Sequence, residues 1–138
     1  MDYHAAFAIS AAGMDVERAR VDVATLNLAN AQTLLAPDGS GYRPQRVVVQ
    51  AGYGAFEPWL DLARPVASIV ASTEAPHRTL DPGHPWADAA GFISHPGVDT
   101  TFEMVTLMAA TRAYEANVVA MNAARSMALK ALDIGGNS

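Results

Sequence analysis

The sequence predicts a mainly α fold, in which long N- and C-terminal helices pack as an antiparallel coiled coil beside a small middle segment rich in β-strands and turns. Apolar residues repeat at heptad spacing over both ends of the chain. Most glycines and prolines lie between the two ends, together with two short β-branched runs. We therefore assign residues 1–34 and 98–138 to a terminal helical coiled-coil domain and residues 35–97 to a small β-rich domain.

The first helix is predicted from a seven-residue register that runs from Asp2 to Ala31. Two heptad positions alternate along it and define its apolar side, which comprises Ile9, Ala12, Val16, Ala19, Val23 and Leu26. Asn30 continues the first of these positions, where a polar residue can fix the register between packed chains. A solvated polar face at the end of the helix is the alternative interpretation of this asparagine.

The second helix is predicted between Thr100 and Ile134. Thr100 and Glu103 match a capping box at its start, and the glycine pair at 135–136 supplies its end. Its predicted seam comprises Met104, Leu107, Tyr114, Val118, Met121, Ala128 and Leu132. Further apolar residues lie outside this seam, at Val105, Met108, Val119 and Met127. A helix that is apolar on more than one face requires cover on more than one side.

Both predicted helices are too long for the chain that carries them. At 1.5 Å per residue they would measure about 43 and 52 Å, whereas a compact domain of this size is only about 30 Å across. Antiparallel packing would bury the apolar side of the first helix against Leu107, Tyr114, Val118 and Met121 of the second. The remaining faces should contact neighbouring subunits, so we expect the apolar residues of both helices, together with Asn30, to form an assembly interface.

The composition excludes several classes of function. The chain has no cysteine, which removes disulfides, thiolate metal sites and cysteine nucleophiles. A net charge of −5 and scattered basic residues argue against nucleic acid as a partner. No uncharged apolar stretch reaches the length of a membrane span.

The middle segment contains two strand candidates and one group of polar residues. The strands are predicted at residues 46–50 and 65–70, where β-branched side chains dominate. The polar group combines imidazoles and carboxylates, at His77, Asp81, His84, Asp88, His95 and Asp99. A metal-dependent enzyme that uses His77, His84 and His95 is the alternative here, but their spacing matches no motif with a mechanism. We predict no catalytic residue, no metal site and no cofactor, and we expect a hydrogen bond of His84 to hold its turn.

Both ends of the chain resemble those of one protein family. Residues 7–14 and the run Asn27–Ala31 are similar to the N-terminal signature of bacterial flagellar rod and hook proteins. Residues 112–118 and 126–132 are similar to the returning C-terminal helix of that family. Within the family, the segment Asp81–Pro85 most resembles the corresponding motif of the proximal-rod C subunit.

The resemblance implies a structural subunit and not an enzyme. A proximal-rod subunit would assemble into a helical tube that transmits motor torque and forms part of the export channel wall. Another rod or hook-type axial subunit is the alternative. The implied partners are copies of the chain, other proximal and distal rod subunits, the adaptor between the rod base and the MS ring, and the flagellar type III export apparatus. Neither nucleic acid nor a small-molecule substrate is implied.

The resemblance also implies a location. Such a subunit would be exported without a cleaved signal peptide and would reside in the periplasm-spanning rod of the flagellar basal body. The residues themselves favour an uncleaved N-terminus, because Asp2 stands where a signal peptide has basic residues. The heptads also continue through the apolar stretch that follows it. A soluble coiled-coil adaptor that acts in the cytoplasm is the alternative.

Overall fold

The computed structural model describes residues 3–51 and 65–136. This part of the chain contains helix α1 (Tyr3–Asn30), strands β1 (Gln45–Ala51), β2 (Pro65–Ala71), β3 (His77–Leu80) and β4 (Phe92–His95), and helix α2 (Thr100–Gly136). The prediction of a mainly α fold, with two long terminal helices and a small β-rich middle, is confirmed. The turns predicted within residues 52–64 lie outside the described residues.

The four strands form two antiparallel pairs. β1 pairs with β2, with Val47 opposite Ile69, and these strands confirm both strand predictions. β3 pairs with β4, with His77 opposite His95, and neither strand is evident in the sequence. Strands of four residues among prolines carry too short an alternation to stand out. Both β1 and β2 contact α1, so the β1–β2 hairpin lies along the N-terminal helix.

Helices α1 and α2 pack against each other. The Asn27 amide on α1 donates a hydrogen bond to the Glu103 carboxylate on α2 at 2.9 Å. Further along, Gly13 lies against Asn117, and a Cβ atom at position 13 would come within 3.0 Å of the Asn117 side chain. Glycine therefore permits a close approach of the helices here. The buried apolar residues of the two helices are small: Val16, Val23, Ala24, Ala110 and Ala124.

The start of α2 differs from the predicted capping box. Asp99 is the N-cap, because its Oδ1 accepts hydrogen bonds from the backbone N–H groups of Thr101 at 2.9 Å and Phe102 at 3.1 Å. The Glu103 side chain turns toward α1 instead. The capping box predicted from Thr100 and Glu103 is therefore wrong. Asp99 already satisfies the first N–H groups of the helix, which leaves Glu103 available for a tertiary contact.

A second buried cluster lies where the chain enters α2. Leu35 forms an isolated β-bridge with Ser94, and its N–H donates to the Ser94 carbonyl at 2.8 Å. The buried members of this cluster are Leu35, Ile93, Pro96 and Val98. Gly97 lies against the carbonyl of Ala75, where a Cβ atom would come within 2.4 Å of the oxygen. These contacts fix the path of the chain immediately before α2 begins.

Candidate assembly interface

A network of hydrogen bonds centres on Asn27, whose side chain is fully buried. Its Nδ2 donates to Glu103 Oε1 at 2.9 Å and to the backbone carbonyl of Gln45 at 2.8 Å. Its Oδ1 accepts from the Tyr42 hydroxyl at 2.8 Å and from the Gln45 N–H at 3.0 Å. The amide therefore uses both its donors and both its acceptor positions. We call this network of Asn27, Tyr42, Gln45 and Glu103 the Asn27 clasp.

The carboxyl group of the clasp has a shifted pKa. Burial raises the pKa of Glu103 from its ordinary value of 4.5, although the hydrogen bond from Asn27 and the charge of Arg46 oppose this shift. The negative charges of Glu74 and Asp99 raise the pKa further. The folded chain therefore favours the protonated carboxyl more than the unfolded chain does.

The surroundings of the clasp add aromatic and ionic contacts. Burial raises the pKa of the Tyr42 hydroxyl, and the charge of Glu103 adds to this shift. Arg46, the residue after Gln45, pairs with Glu74. The guanidinium carbon of Arg46 also lies 5.3 Å from the centroid of the Phe102 ring at the start of α2. The first turn of α2 is thus joined to both α1 and β1.

Replacing Glu103 by Gln should raise the free energy of unfolding at neutral pH. The folded pKa lies above the unfolded pKa, so the stabilising contribution of Glu103 is complete at low pH and is lost as the pH rises through the folded value. Glutamine keeps an acceptor for Asn27 and cannot ionise. Urea unfolding of the unsubstituted chain and of the Glu103→Gln variant should give similar free energies of unfolding below pH 4.5. The two values should diverge as the pH rises above 4.5. A difference in the free energy of unfolding that is the same at every pH would contradict the raised pKa of Glu103.

The first helix buries only part of its predicted apolar side. Val16 and Val23 are 4% and 5% exposed. Ile9 and Leu26 are 42% and 50% exposed, so their predicted burial against α2 is wrong for the single chain. Half-buried alanines complete the stripe, at Ala12 and Ala19.

The contacts of α1 explain this outcome. Both strands of the β1–β2 hairpin pack on α1, which therefore has two neighbours and not α2 alone. Its buried stripe consequently passes through Ala24 and Asn27, both 0% exposed, and leaves Leu26 in solvent. Asn30, the predicted register residue, donates to the Leu26 carbonyl of its own helix at 2.9 Å. The fully buried asparagine of α1 is Asn27.

The buried stripe of α2 is rotated relative to the predicted seam. Ala110 and Ala124 are 2% and 5% exposed. Met104, Tyr114 and Leu132 are 57%, 40% and 71% exposed, so their predicted place in the seam is wrong for the single chain. The other predicted seam residues are half-buried: Leu107, Val118, Met121 and Ala128. The distance between packed helices depends on the side chains at the contact, and alanine allows the two helices to approach closely.

The opposite side of α2 carries large apolar residues in solvent. Val105, Met108 and Val119 are 54%, 58% and 68% exposed. At about 100° per residue they lie on the side of the helix away from Ala110. Met127, farther along α2, is 50% exposed. We call these four residues the outer row, and their burial by neighbouring subunits stays a prediction.

The β1–β2 hairpin carries three further exposed valines, on a face that they share with Arg46, Gln50 and Ser68. Val48, Val66 and Val70 lie on the same side of the paired strands and are 40%, 57% and 43% exposed. Sequence reasoning did not single out this face. The signal for it is the continuous run Val47–Val49, because an uninterrupted apolar run is typical of a strand that is covered on both sides.

The predicted group of imidazoles and carboxylates is dispersed over several local contacts. His84 Nδ1 accepts a hydrogen bond from the Trp86 N–H at 3.0 Å, which confirms that it holds its turn. His95 Nδ1 lies 3.0 Å from the Thr33 carbonyl oxygen. Over residues 3–51 and 65–136, no group of three or more histidine, aspartate or glutamate side chains is arranged to hold a metal ion.

Asp88 has a local structural role in the same segment. Its Oδ1 accepts hydrogen bonds from the backbone N–H groups of Ala90 and Phe92, each at 2.9 Å, and its carboxylate pairs with Arg78. The hydrogen bond from Phe92 is the main cause that holds the pKa of Asp88 below its ordinary value. These contacts close the turn between β3 and β4.

Replacing His77 and His95 by Ala should leave the chain folded and its metal content unchanged. His84→Ala should lower the free energy of unfolding by about 1 kcal/mol, the usual value of one hydrogen bond. Urea unfolding and metal analysis of the purified variants measure both effects. One equivalent of bound metal that disappears in the His77/His84/His95 triple variant would instead support a metal site.

The C-terminal part of the chain matches a known family. The family described as flagellar basal body rod FlgEFG protein C-terminal matches residues 89–134, which include the whole outer row. A flagellar basal-body rod protein FlgC of Escherichia coli O6:H1 is 39% identical over 131 residues, which cover 94% of this chain and 95% of the relative. The chain belongs to the FlgC family of flagellar basal-body rod proteins.

Other FlgC proteins agree over the same span. The FlgC protein of Salmonella typhimurium is 37% identical over 129 residues, with 94% of this chain and 95% of the relative covered. The FlgC protein of Bacillus subtilis is 36% identical over 141 aligned positions, which cover 92% of this chain and 94% of the relative. The FlgC family is one of structural rod proteins, and no catalytic activity is indicated. Neither described helix has an apolar stretch of the length that a membrane crossing needs.

Proposed function

We propose that this FlgC-family chain is a structural subunit of the proximal rod of the bacterial flagellar basal body. The outer row of α2 carries the proposal, because its four large apolar side chains are at least half exposed in the single chain. Exposed apolar side chains rimmed by polar residues commonly mark a protein–protein contact. Here the exposed Arg112 and Glu115 interrupt the row between Met108 and Val119. Covering it would contribute about 25 cal/mol for each Å² of apolar area removed from water. In this proposal, neighbouring subunits provide that cover.

We also propose that the two helices form an antiparallel coiled coil. The pairs Gly13–Asn117 and Asn27–Glu103 follow one another in opposite order along α1 and α2, which supports this orientation. In this arrangement residues 1–34 and 98–138 form the assembly domain. Residues 35–97 form the small β-rich domain beside it.

The proposed setting is a helical tube of subunits that crosses the periplasm. Its wall transmits motor torque and encloses part of the export channel. The partners are copies of this chain, other proximal and distal rod subunits, the adaptor at the MS ring and the flagellar type III export apparatus. The chain reaches the rod without cleavage of a signal peptide. The names of its relatives as basal-body rod proteins support the placement in the rod.

Deletion of the gene tests the proposal. We expect non-motile cells whose isolated basal bodies lack rods, and a plasmid copy should restore both. A functional tagged chain should fractionate with basal bodies. Rods that begin normally and end early would favour another axial subunit, and a tagged chain that stays in the cytosol would favour the adaptor. Motile deletion cells with complete rods would contradict a structural role in this rod.

A further inference from the structure

We infer that the Asn27 clasp determines the register in which α1 and α2 pair. Among the described residues, the bond from Asn27 to Glu103 is the only side-chain hydrogen bond that joins the two helices. The most deeply buried apolar residues of both helices are valine and alanine. Small, similar side chains can pack after a shift along the helix, so they specify register weakly. A buried polar pair cannot shift without losing its partners.

A shift of one heptad shows what the clasp excludes. In one direction, Asn27 would move from Glu103 to the level of Ala110, whose side chain has no hydrogen-bonding group. In the other direction, Asn27 would lie at the level of Pro96, which precedes the start of α2. Each buried polar group left unpaired should disfavour the shifted register roughly tenfold or more. A single buried asparagine is known to fix register in this way in coiled coils.

The clasp also makes helix pairing depend on the middle of the chain. Three of the four hydrogen bonds of Asn27 involve Tyr42 and Gln45, at the entrance to β1. These bonds orient the amide so that its remaining N–H points at Glu103. The segment that follows α1 therefore selects the register of α2 on α1. A shift of seven residues would also displace the outer row by about 10 Å relative to the hairpin. The importance of that displacement for assembly rests on the proposed function, whereas the register itself does not.

Engineered disulfides test the inference in the full-length chain, which has no cysteine of its own. The pair Gly13→Cys with Asn117→Cys reports the observed register, because these positions face each other. Gly13→Cys combined with Ala110→Cys or with Ala124→Cys reports a shift of one heptad in either direction. Each double variant is oxidised at low protein concentration, and the internally cross-linked monomer is quantified on a non-reducing gel.

When the clasp is intact, we expect the shifted pairs to cross-link to at most about a tenth of the extent of the Gly13–Asn117 pair. Asn27→Leu or Glu103→Leu should raise the cross-linked fraction of at least one shifted pair roughly tenfold. Glu103→Gln keeps an acceptor and should preserve the observed register. Asn30→Leu is the matched control, because this asparagine bonds to a carbonyl of its own helix. It should leave the shifted pairs at the low level that they have in the chain with an intact clasp.

Three results would overturn the inference. The first is the absence of shifted cross-links in both leucine variants while the observed pair still forms. The second is a comparable rise of shifted cross-links in the Asn30→Leu control, or shifted cross-links as abundant as the observed one in the chain with an intact clasp. The third is the loss of every cross-link and of helical circular dichroism in both leucine variants, because the clasp would then serve stability and not register. The cross-links are measured on purified chain, so a failure of the proposed rod function would leave this outcome unaffected.

Discussion

Replacing Val16 by Asp should unfold the helix pair of the single chain. Val16 is 4% exposed, and a carboxylate buried there without a partner should cost about 3 kcal/mol or more. That is a large part of the stability of a small domain. Urea unfolding followed by circular dichroism measures the loss. Asp15→Glu is the matched control, because it keeps the charge of an exposed neighbour and should leave the unfolding curve unchanged.

Leu26→Asp should separate folding from assembly. Leu26 is 50% exposed, so the substitution should change the free energy of unfolding by no more than about 1 kcal/mol. It belongs to the predicted assembly interface, and we expect it to fail in complementation of a deletion strain. An unfolding curve as weakened as that of Val16→Asp would contradict the buried stripe assigned to α1. Normal swimming would remove Leu26 from the interface.

Replacing Met108 and Val119 together by Asp should abolish rod assembly and leave the single chain folded. The two side chains are 58% and 68% exposed, so the new carboxylates stay in water before assembly. Each would cost several kcal/mol once a neighbouring apolar surface covers it without a partner. The measurements are helical content of the purified chain, motility in soft agar and the presence of rods in isolated basal bodies.

Asn122→Asp is the control for this pair, because it adds a carboxylate at an exposed polar position of the same helix. It should be tolerated. A structure of the assembled rod gives the direct test, since the four residues of the outer row should be buried by other chains. Finding all four in solvent or facing the lumen would exclude α2 from the wall of the tube.

The long elements of the fold were predictable from residue spacing. Apolar residues that recur every three or four positions predict both helices, because one side of any packed helix must leave water. The end of α1 at Asn30 and the start of α2 at Thr100 agree with the predicted bounds. The strands β1 and β2 follow from β-branched runs, whose side chains favour extended backbone.

The buried side of each helix was not predictable from the same spacing. For α1 it depends on where the β1–β2 hairpin lies, and that contact joins residues far apart in the chain. The hairpin brings Asn27 into the interior, although asparagine is usually exposed to water. It leaves Leu26 in solvent, although leucine is usually buried. A signal for Asn27 existed, because it stands four residues after Val23 and asparagine is a poor helix former away from caps. Its partners Tyr42 and Gln45 could not be predicted from helical periodicity, because both lie beyond the end of α1.

The small size of the side chains between α1 and α2 has a calorimetric consequence. Unfolding of one copy uncovers little apolar surface, so its heat-capacity increment should lie below the roughly 1.7–2.1 kcal/mol/K expected for a compact chain of 138 residues. The larger heat-capacity change, of negative sign, should accompany the joining of copies, when the outer row leaves water. Attraction of this kind weakens on cooling. Low temperature should therefore favour separate chains over the assembled rod.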